Sequence, residues 1–305
     1  MYGEYSTKKI ALYHTFLMDF MHITAKICNF VDMRHYISIL LLSVCLSAFS
    51  AKVEDIKIDT DLLPWPMDVT VITPDAAVKG ERFPSVYLLN GYTGHNRGWV
   101  ELRTDLPELA DRYGMVMVMP HGHDSWYWDS PAQPQVKMES FFIKELVPYI
   151  DAHYPTVNDP AMRAISGLSM GGHGALWLAM RHSDVYGSAG SMSGGVDIRP
   201  FPDNWKMKEW LGTYTENPDV WDAHTVINLV PRLKKDQLNI TFDCGVDDFF
   251  AKVNDNLHKA LMDAGIPHDY TARPGAHTGE YWRNSILYHL LYFNEAFHKK
   301  ASAEK

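Results

Sequence analysis

The sequence predicts an α/β domain built on a mostly parallel sheet, with helices on both faces and an inserted segment over one end. Two observations carry this. From about Asp55 onward, short apolar runs bounded by Gly or Pro alternate with longer stretches of helical periodicity. A further predicted strand, "RAISG", passes through the glycine-rich turn "GLSMGG" directly into the helix-like "GGHGALWLAMRHS".

Taken in order, "MDVTVITP" alternates with period two and reads as an antiparallel opening strand. "SVYLLNG" and "MVMVMP" are continuous apolar runs, as suits strands buried on both faces. Between them "LPELADRYG" reads as a helix stopped by Gly114. "MESFFIKELVPYIDAHYP" places Phe142, Leu146, Tyr149 and Ile150 on one helical face. "YGSAGSMSGG", "LNITFDCG" and "HDYTARPGAH" read as three further strands, and "GEYWRNSILYHLLYFNEAFHKK" as a closing amphipathic helix. Residues 196–235 break the pattern. Their Trp205, Trp210 and Trp221 lie among polar residues and prolines, which suits either a cap over the end of the sheet or a satellite core.

The 305 residues, 46% hydrophobic and 21% charged, suffice for one large domain over 51–305. The net charge of -9 and the scattered Lys and Arg give no electrostatic footprint for nucleic acid. Residues 1–50 read as a leader. From Met33, Arg34 and His35 precede an apolar run from Ile37 to Phe49 that closes on Ala48 and Ser50 in signal-peptidase spacing. A secretory signal over about 33–50 is expected, with Met33 as the natural start, and the run is too short to span a bilayer comfortably. The mature chain is thus expected outside the cytoplasm with no stable membrane insertion. Removing Cys28 and Cys45 leaves Cys244 alone, so no internal disulfide or paired-cysteine metal site can form.

"GLSMGG" fits G-x-S-x-G with a strand before and a helix after it. Gly167 and Gly171, two positions either side of Ser169, would let strand and helix approach closely and lift the hydroxyl above the sheet. Glycine-rich βα turns recur by chance, however, and a serine hydroxyl needs a base and an acid that orients it. "ITFDCGVDDFF" supplies Asp247 and Asp248 in a loop after a strand, and "RPGAHTGEYW" supplies His277 after the last one. That is the order Ser, Asp, His required on such a sheet. His173 would point along its own helix, and His268 stands at the wrong end of a strand. His121 and His123 follow a strand and are expected near the site, without a third ligand for a metal. The spacing does not choose between Asp247 and Asp248.

"YLLNGYTGHNRGWV", "VMPHGHDSWYWDSP", "ELVPYIDAHYP", "GLSMGGHGAL", "DCGVDDFF" and "PGAHTGEYW" together resemble, in order, the esterase D branch of the α/β-hydrolases. That branch includes S-formylglutathione hydrolases, feruloyl and tributyrin-type esterases and the antigen 85 mycolyltransferases. The resemblance spans about residues 65–295 and implies an α/β-hydrolase fold, a cofactor-free serine esterase, and no metal. It implies Ser169 as nucleophile, His277 as base and, through a G-x-x-D motif running from Gly245, Asp248 as the acid. It also implies an oxyanion hole made by the backbone N–H groups of Tyr92 and Met170, with Asn90 standing where many relatives have His or Asp. With export, this favours a short-chain acyl, acetyl or feruloyl ester, small or attached to polysaccharide. A glutathione thioesterase and an acyltransferase are the alternatives within the fold, and a carbohydrate-binding protein on a decayed hydrolase fold is the non-enzymatic one. Trp126, Tyr127 and Trp128, after a strand end, are expected to rim the substrate pocket, or else to pack under the inserted segment.

Overall fold

A computed structural model describes residues 51–303 apart from 76, 78 and 79, so the expected leader and signal sequence lie outside the described residues. Eight strands form one sheet: β1 Lys52–Ile58, β2 Met67–Thr73, β3 Ser85–Leu89, β4 Val116–Pro120, β5 Arg163–Gly167, β6 Ser188–Met192, β7 Asn239–Gly245 and β8 Asp269–Arg273. Their order is β1-β2-β4-β3-β5-β6-β7-β8. β1 and β2 pair antiparallel, as do β2 and β4, and every pair from β4 to β8 is parallel. β1 begins ahead of the region where the sequence shows alternation, because "KVEDIKI" is a largely exposed edge strand whose polar residues hide its period.

The helices divide between the two faces. On one, α1 Gly98–Leu102, α2 Leu106–Tyr113 and the closing helix cover Val86, Leu88, Met117 and Met119. On the other, α3 Met138–Phe141, α4 Val147–His153, α5 Met170–Arg181 and α8 Ala251–Asp263 cover Tyr87, Leu89, Val118 and Ile165. Alternate residues of one strand thus feed two separate cores, which is why β3, β4 and β5 are buried at every position and why β3 and β4 read as continuous apolar runs. α2 ends where Gly114 adopts φ 58°, as expected of a left-handed stop.

The predicted single helix over 138–153 is interrupted by a π turn at Phe142–Leu146. Pro148 lies just beyond it and has no N–H to give to a normal helical ladder, so the widened turn falls where that bond would be missing. Residues 196–235 form α6 Met207–Leu211, α7 Pro218–Ala223 and a 3-10 turn Val226–Arg232. Trp210 and Trp221 are buried in the main core, while Trp205 reaches the site described below. The closing helix is α9 Gly279–Ala303. No helix among the described residues is long and apolar enough to cross a membrane.

Candidate active site

Ser169 stands between β5 and α5 with φ 56° and ψ -118°, a conformation that L side chains rarely adopt. The strain is held by contact. A Cβ on Gly167 would lie 2.4 Å from the Gly171 carbonyl oxygen, and one on Gly171 2.4 Å from the Leu89 oxygen. Only glycine at both positions allows β3, β5 and α5 to meet, and the Ser169 N–H is tied to the Met192 oxygen at 2.9 Å.

His277 follows β8 and brings Nε2 to 2.8 Å from the Ser169 Oγ and Nδ1 to 2.8 Å from the Asp248 Oδ2. The loops bearing His277 and Asp248 are zipped by Val246 N–H to Arg273 O and Asp247 N–H to Gly275 O, both 2.9 Å. Asp248 is buried, and its second oxygen accepts the Phe250 N–H at 2.8 Å just ahead of α8. One carboxylate therefore fixes both the imidazole and the start of a helix. Asp247 points to solvent. Phe249, Phe250 and Trp282 enclose the imidazole, with ring centroids 4.2, 5.5 and 4.8 Å away. The structure thus brings Ser169, His277 and Asp248 into one hydrogen-bonded line.

Met170 is the first residue of α5, where a backbone N–H has no acceptor within its own helix. Tyr92 lies in the loop after β3, on the lining of the same cleft as Ser169. That loop is tethered through Asn90: its Oδ1 accepts the Gly122 N–H at 2.8 Å, and its backbone oxygen accepts the Tyr127 hydroxyl at 2.9 Å. Asparagine at this position therefore anchors the loop through an uncharged acceptor.

Ser169 and His277 open into a cleft of about 480 Å³ walled by Tyr92, Leu102, Leu168, Trp205, Phe249 and Trp282. Trp205 and Phe249 stack with centroids 5.7 Å apart and 23° between planes. None of the described residues lining the cleft is Lys, Arg, Asp or Glu. A larger cavity of about 830 Å³ between the β8 loop and α9 has no Ser, Cys or His in its lining. Of these two cavities, only the smaller has a serine and a histidine in its lining.

Trp126, Tyr127 and Trp128 lie beneath this cleft and are absent from its lining, which corrects their expected place at the rim. Trp126 and Tyr127 both take positive φ, 56° and 65°, so the chain turns all three side chains inward. Non-glycine residues carry no sequence mark for such a turn. Underneath, they support the site: Trp126 Nε1 donates to the Trp205 oxygen at 3.3 Å, and Trp128 Nε1 donates to His173 Nε2 at 2.9 Å. His173 is fully buried, and its Nδ1 donates to the Gly195 oxygen. Burial is the main cause that lowers its pKa to about 3, against the opposing Gly195 bond, so it is a neutral post. His121 and His123 stack on each other at 3.9 Å, outside the cleft lining. Phe249 and Trp282 were not singled out by the sequence; Phe249 follows Asp248 directly, and that adjacency was the available signal.

Residues 60–293 match the model of the esterase family, described as "Putative esterase". The chain belongs to this family. Among curated relatives of this esterase, an acetyl esterase of Caldicellulosiruptor saccharolyticus is 27% identical, covering 68% of this chain and 82% of the relative. The S-formylglutathione hydrolase of Mus musculus is 26% identical, covering 76% and 91%. A solved ferulic acid esterase superposes with TM-score 0.71 at 28% identity, covering 82% of this chain and all of that one. The esterase therefore has the α/β-hydrolase fold, and its Ser169 elbow stands at the carboxyl end of the sheet, where that fold holds its chemistry.

Proposed function

We propose that the chain is a serine carboxylic ester hydrolase working through an acyl-enzyme. The unbroken line Ser169 Oγ, His277 Nε2, His277 Nδ1, Asp248 Oδ2 carries this reading. His277 Nε2 takes the hydroxyl proton as Ser169 Oγ bonds to the ester carbonyl carbon. Asp248 accepts the Nδ1–H throughout, which fixes the tautomer and stabilises the imidazolium. The Tyr92 and Met170 N–H groups receive the charge that develops on the carbonyl oxygen. As the tetrahedral adduct collapses, the carbon–oxygen bond to the alcohol breaks, and the imidazolium returns its proton to the departing oxygen. Water then attacks the acyl-Ser169 carbonyl, with His277 again taking and returning a proton, and releases the acid. No step requires a cofactor.

The cleft supports a neutral ester with a short or aromatic acyl group, since its walls are aromatic and aliphatic. A glutathione thioester would bring two carboxylates to a lining that offers no cation. With the secretory signal expected over 33–50, the natural ester is proposed to be extracytoplasmic, acetyl or feruloyl, either small or attached to polysaccharide. Replacing Ser169 by Ala tests the chemistry: p-nitrophenyl acetate hydrolysis is expected to vanish with the fold intact. Activity within a few-fold of the parent would overturn it. A panel of acetyl, butyryl, feruloyl and S-formylglutathione substrates tests the specificity, with the thioester expected to be the poorest.

A further inference from the structure

Beneath the site lies a second hydrogen-bonded chain of serine, histidine and aspartate, and the side chains of these three residues are buried. Ser166 Oγ is 2.8 Å from His289 Nδ1, and His289 Nε2 is 3.0 Å from Asp243 Oδ2. The same carboxylate oxygen accepts the Ser285 hydroxyl and the Arg273 guanidinium, the latter at 3.1 Å. Arg273 also donates to Ser285 Oγ at 2.9 Å. Ser166, Asp243, Ser285 and His289 are all at most 2% exposed, so none can reach substrate. None of them lines the cleft.

The placement of these residues is not arbitrary with respect to the site. Ser166 is on β5, three residues before Ser169. Asp243 is on β7, five before Asp248. Arg273 ends β8, four before His277. Each strand that delivers one member of the Ser169–His277–Asp248 line also delivers one member of the buried chain. Ser285 and His289 come from α9, the helix that begins just after His277. β6 lies between β5 and β7, and His289 crosses it only because position 190 is glycine. A Cβ there would stand 2.3 Å from His289 Nδ1 and 2.8 Å from Ser166 Oγ.

Ladder hydrogen bonds tie each strand end only to its neighbour, so β5 and β7, with β6 between them, share none directly, and apolar contacts are non-directional. Hydrogen bonds between ionised and neutral partners in a dry interior fix distance and angle together. Burial alone would raise the Asp243 pKa, but the hydrogen bonds from His289 and Ser285 and the Arg273 charge outweigh it and hold the carboxylate below its ordinary range. With Asp243 accepting from His289 Nε2, the neutral imidazole leaves Nδ1 to accept the Ser166 hydroxyl, so every link has a donor and an acceptor.

We propose that Asp243 and His289, with Ser166, Ser285 and Arg273, are positioning residues for ester hydrolysis: they set the spacing of the β5, β7 and β8 ends and so the reach of His277 to Ser169. This rests on the acyl-enzyme reading above.

The test uses Asp243→Asn, which keeps the side-chain shape, and Ser166→Ala, a milder change at the far end of the chain. For each, kcat and KM on p-nitrophenyl acetate are measured per serine labelled to completion by a fluorophosphonate, beside the melting temperature. Labelling counts only folded sites, so loss of folding does not enter kcat. The expected result is kcat per labelled serine reduced about 10- to 100-fold in Asp243→Asn and about 3- to 10-fold in Ser166→Ala, with KM within about two-fold, since misplacement by about 1 Å can cost two orders of magnitude. If Asp243→Asn yields no folded protein, Ser166→Ala decides. Wild-type kcat per labelled serine with a lowered melting temperature overturns the positioning role alone and leaves a purely structural network. A parent chain whose Ser169 takes no label overturns both the positioning role and the acyl-enzyme reading.

Discussion

The Asp248 carboxylate holds His277 Nδ1 at 2.8 Å with one oxygen and the Phe250 N–H at 2.8 Å with the other. Its neighbour Asp247 is exposed and bonds only through its backbone N–H to Gly275. Asp248→Asn is therefore expected to lower kcat/KM on p-nitrophenyl acetate by roughly 10³- to 10⁴-fold, because an amide misdirects the imidazole tautomer. Asp247→Asn should stay within about two-fold, as surface substitutions do. Equal losses from the two variants would show that the acid is misassigned.

Gly171→Ala pushes a methyl to within 2.4 Å of the Leu89 oxygen and 2.7 Å of the Asn90 oxygen, both backbone atoms that cannot turn aside. It is expected to destabilise the fold by more than about 3 kcal/mol, the scale of severe overpacking, read as a fall in melting temperature. A stable variant would show that β3 and α5 can separate without cost.

Phe249 is half exposed and stacks on Trp205 across the cleft. Phe249→Ala and Trp205→Ala should raise KM for a feruloyl ester by about 5- to 30-fold, corresponding to about 1–2 kcal/mol of lost apolar contact. The effect on p-nitrophenyl acetate, whose acetyl group carries only a methyl beyond the carbonyl, should be smaller. Parallel losses on both esters would place the aromatic pair outside acyl selection.

His173 is fully buried, and burial chiefly depresses its pKa to about 3 from an unfolded value near 6.5. Between those values the unfolded chain binds a proton that the folded chain does not. The stability this neutral histidine contributes is therefore complete above pH 6.5 and is lost as pH falls toward 3. The loss amounts to about 2 kcal/mol between pH 6.5 and 5. His173→Asn, which retains a donor for the Gly195 oxygen, should flatten the dependence of denaturation midpoint on pH across that window. An unchanged slope would assign the acid sensitivity to other groups.

The elbow was readable because close backbone approach leaves a visible trace: Gly167 and Gly171 are glycine for a steric reason that any chain must meet. His277 was readable from chain order alone. The choice of Asp248 over Asp247 needed the family resemblance, since only the turn after Gly245 decides which neighbour faces inward. Trp126, Tyr127 and Trp128 were misplaced at the rim because two successive left-handed residues that are not glycine reverse a side chain without warning. The buried chain through Asp243 was invisible. His289 reads as one more core position on an amphipathic helix, and its partners lie 46 and 123 residues away.

The most direct measurement is covalent trapping. The protein is incubated with a fluorophosphonate, digested, and the adduct located by mass spectrometry, beside Ser169→Ala and His277→Ala. One adduct per chain on the peptide containing Ser169, absent from Ser169→Ala and slowed at least about 100-fold in His277→Ala, is the result predicted for a serine activated by its histidine. An adduct on another residue, or labelling of Ser169 at the parent rate without His277, would contradict it.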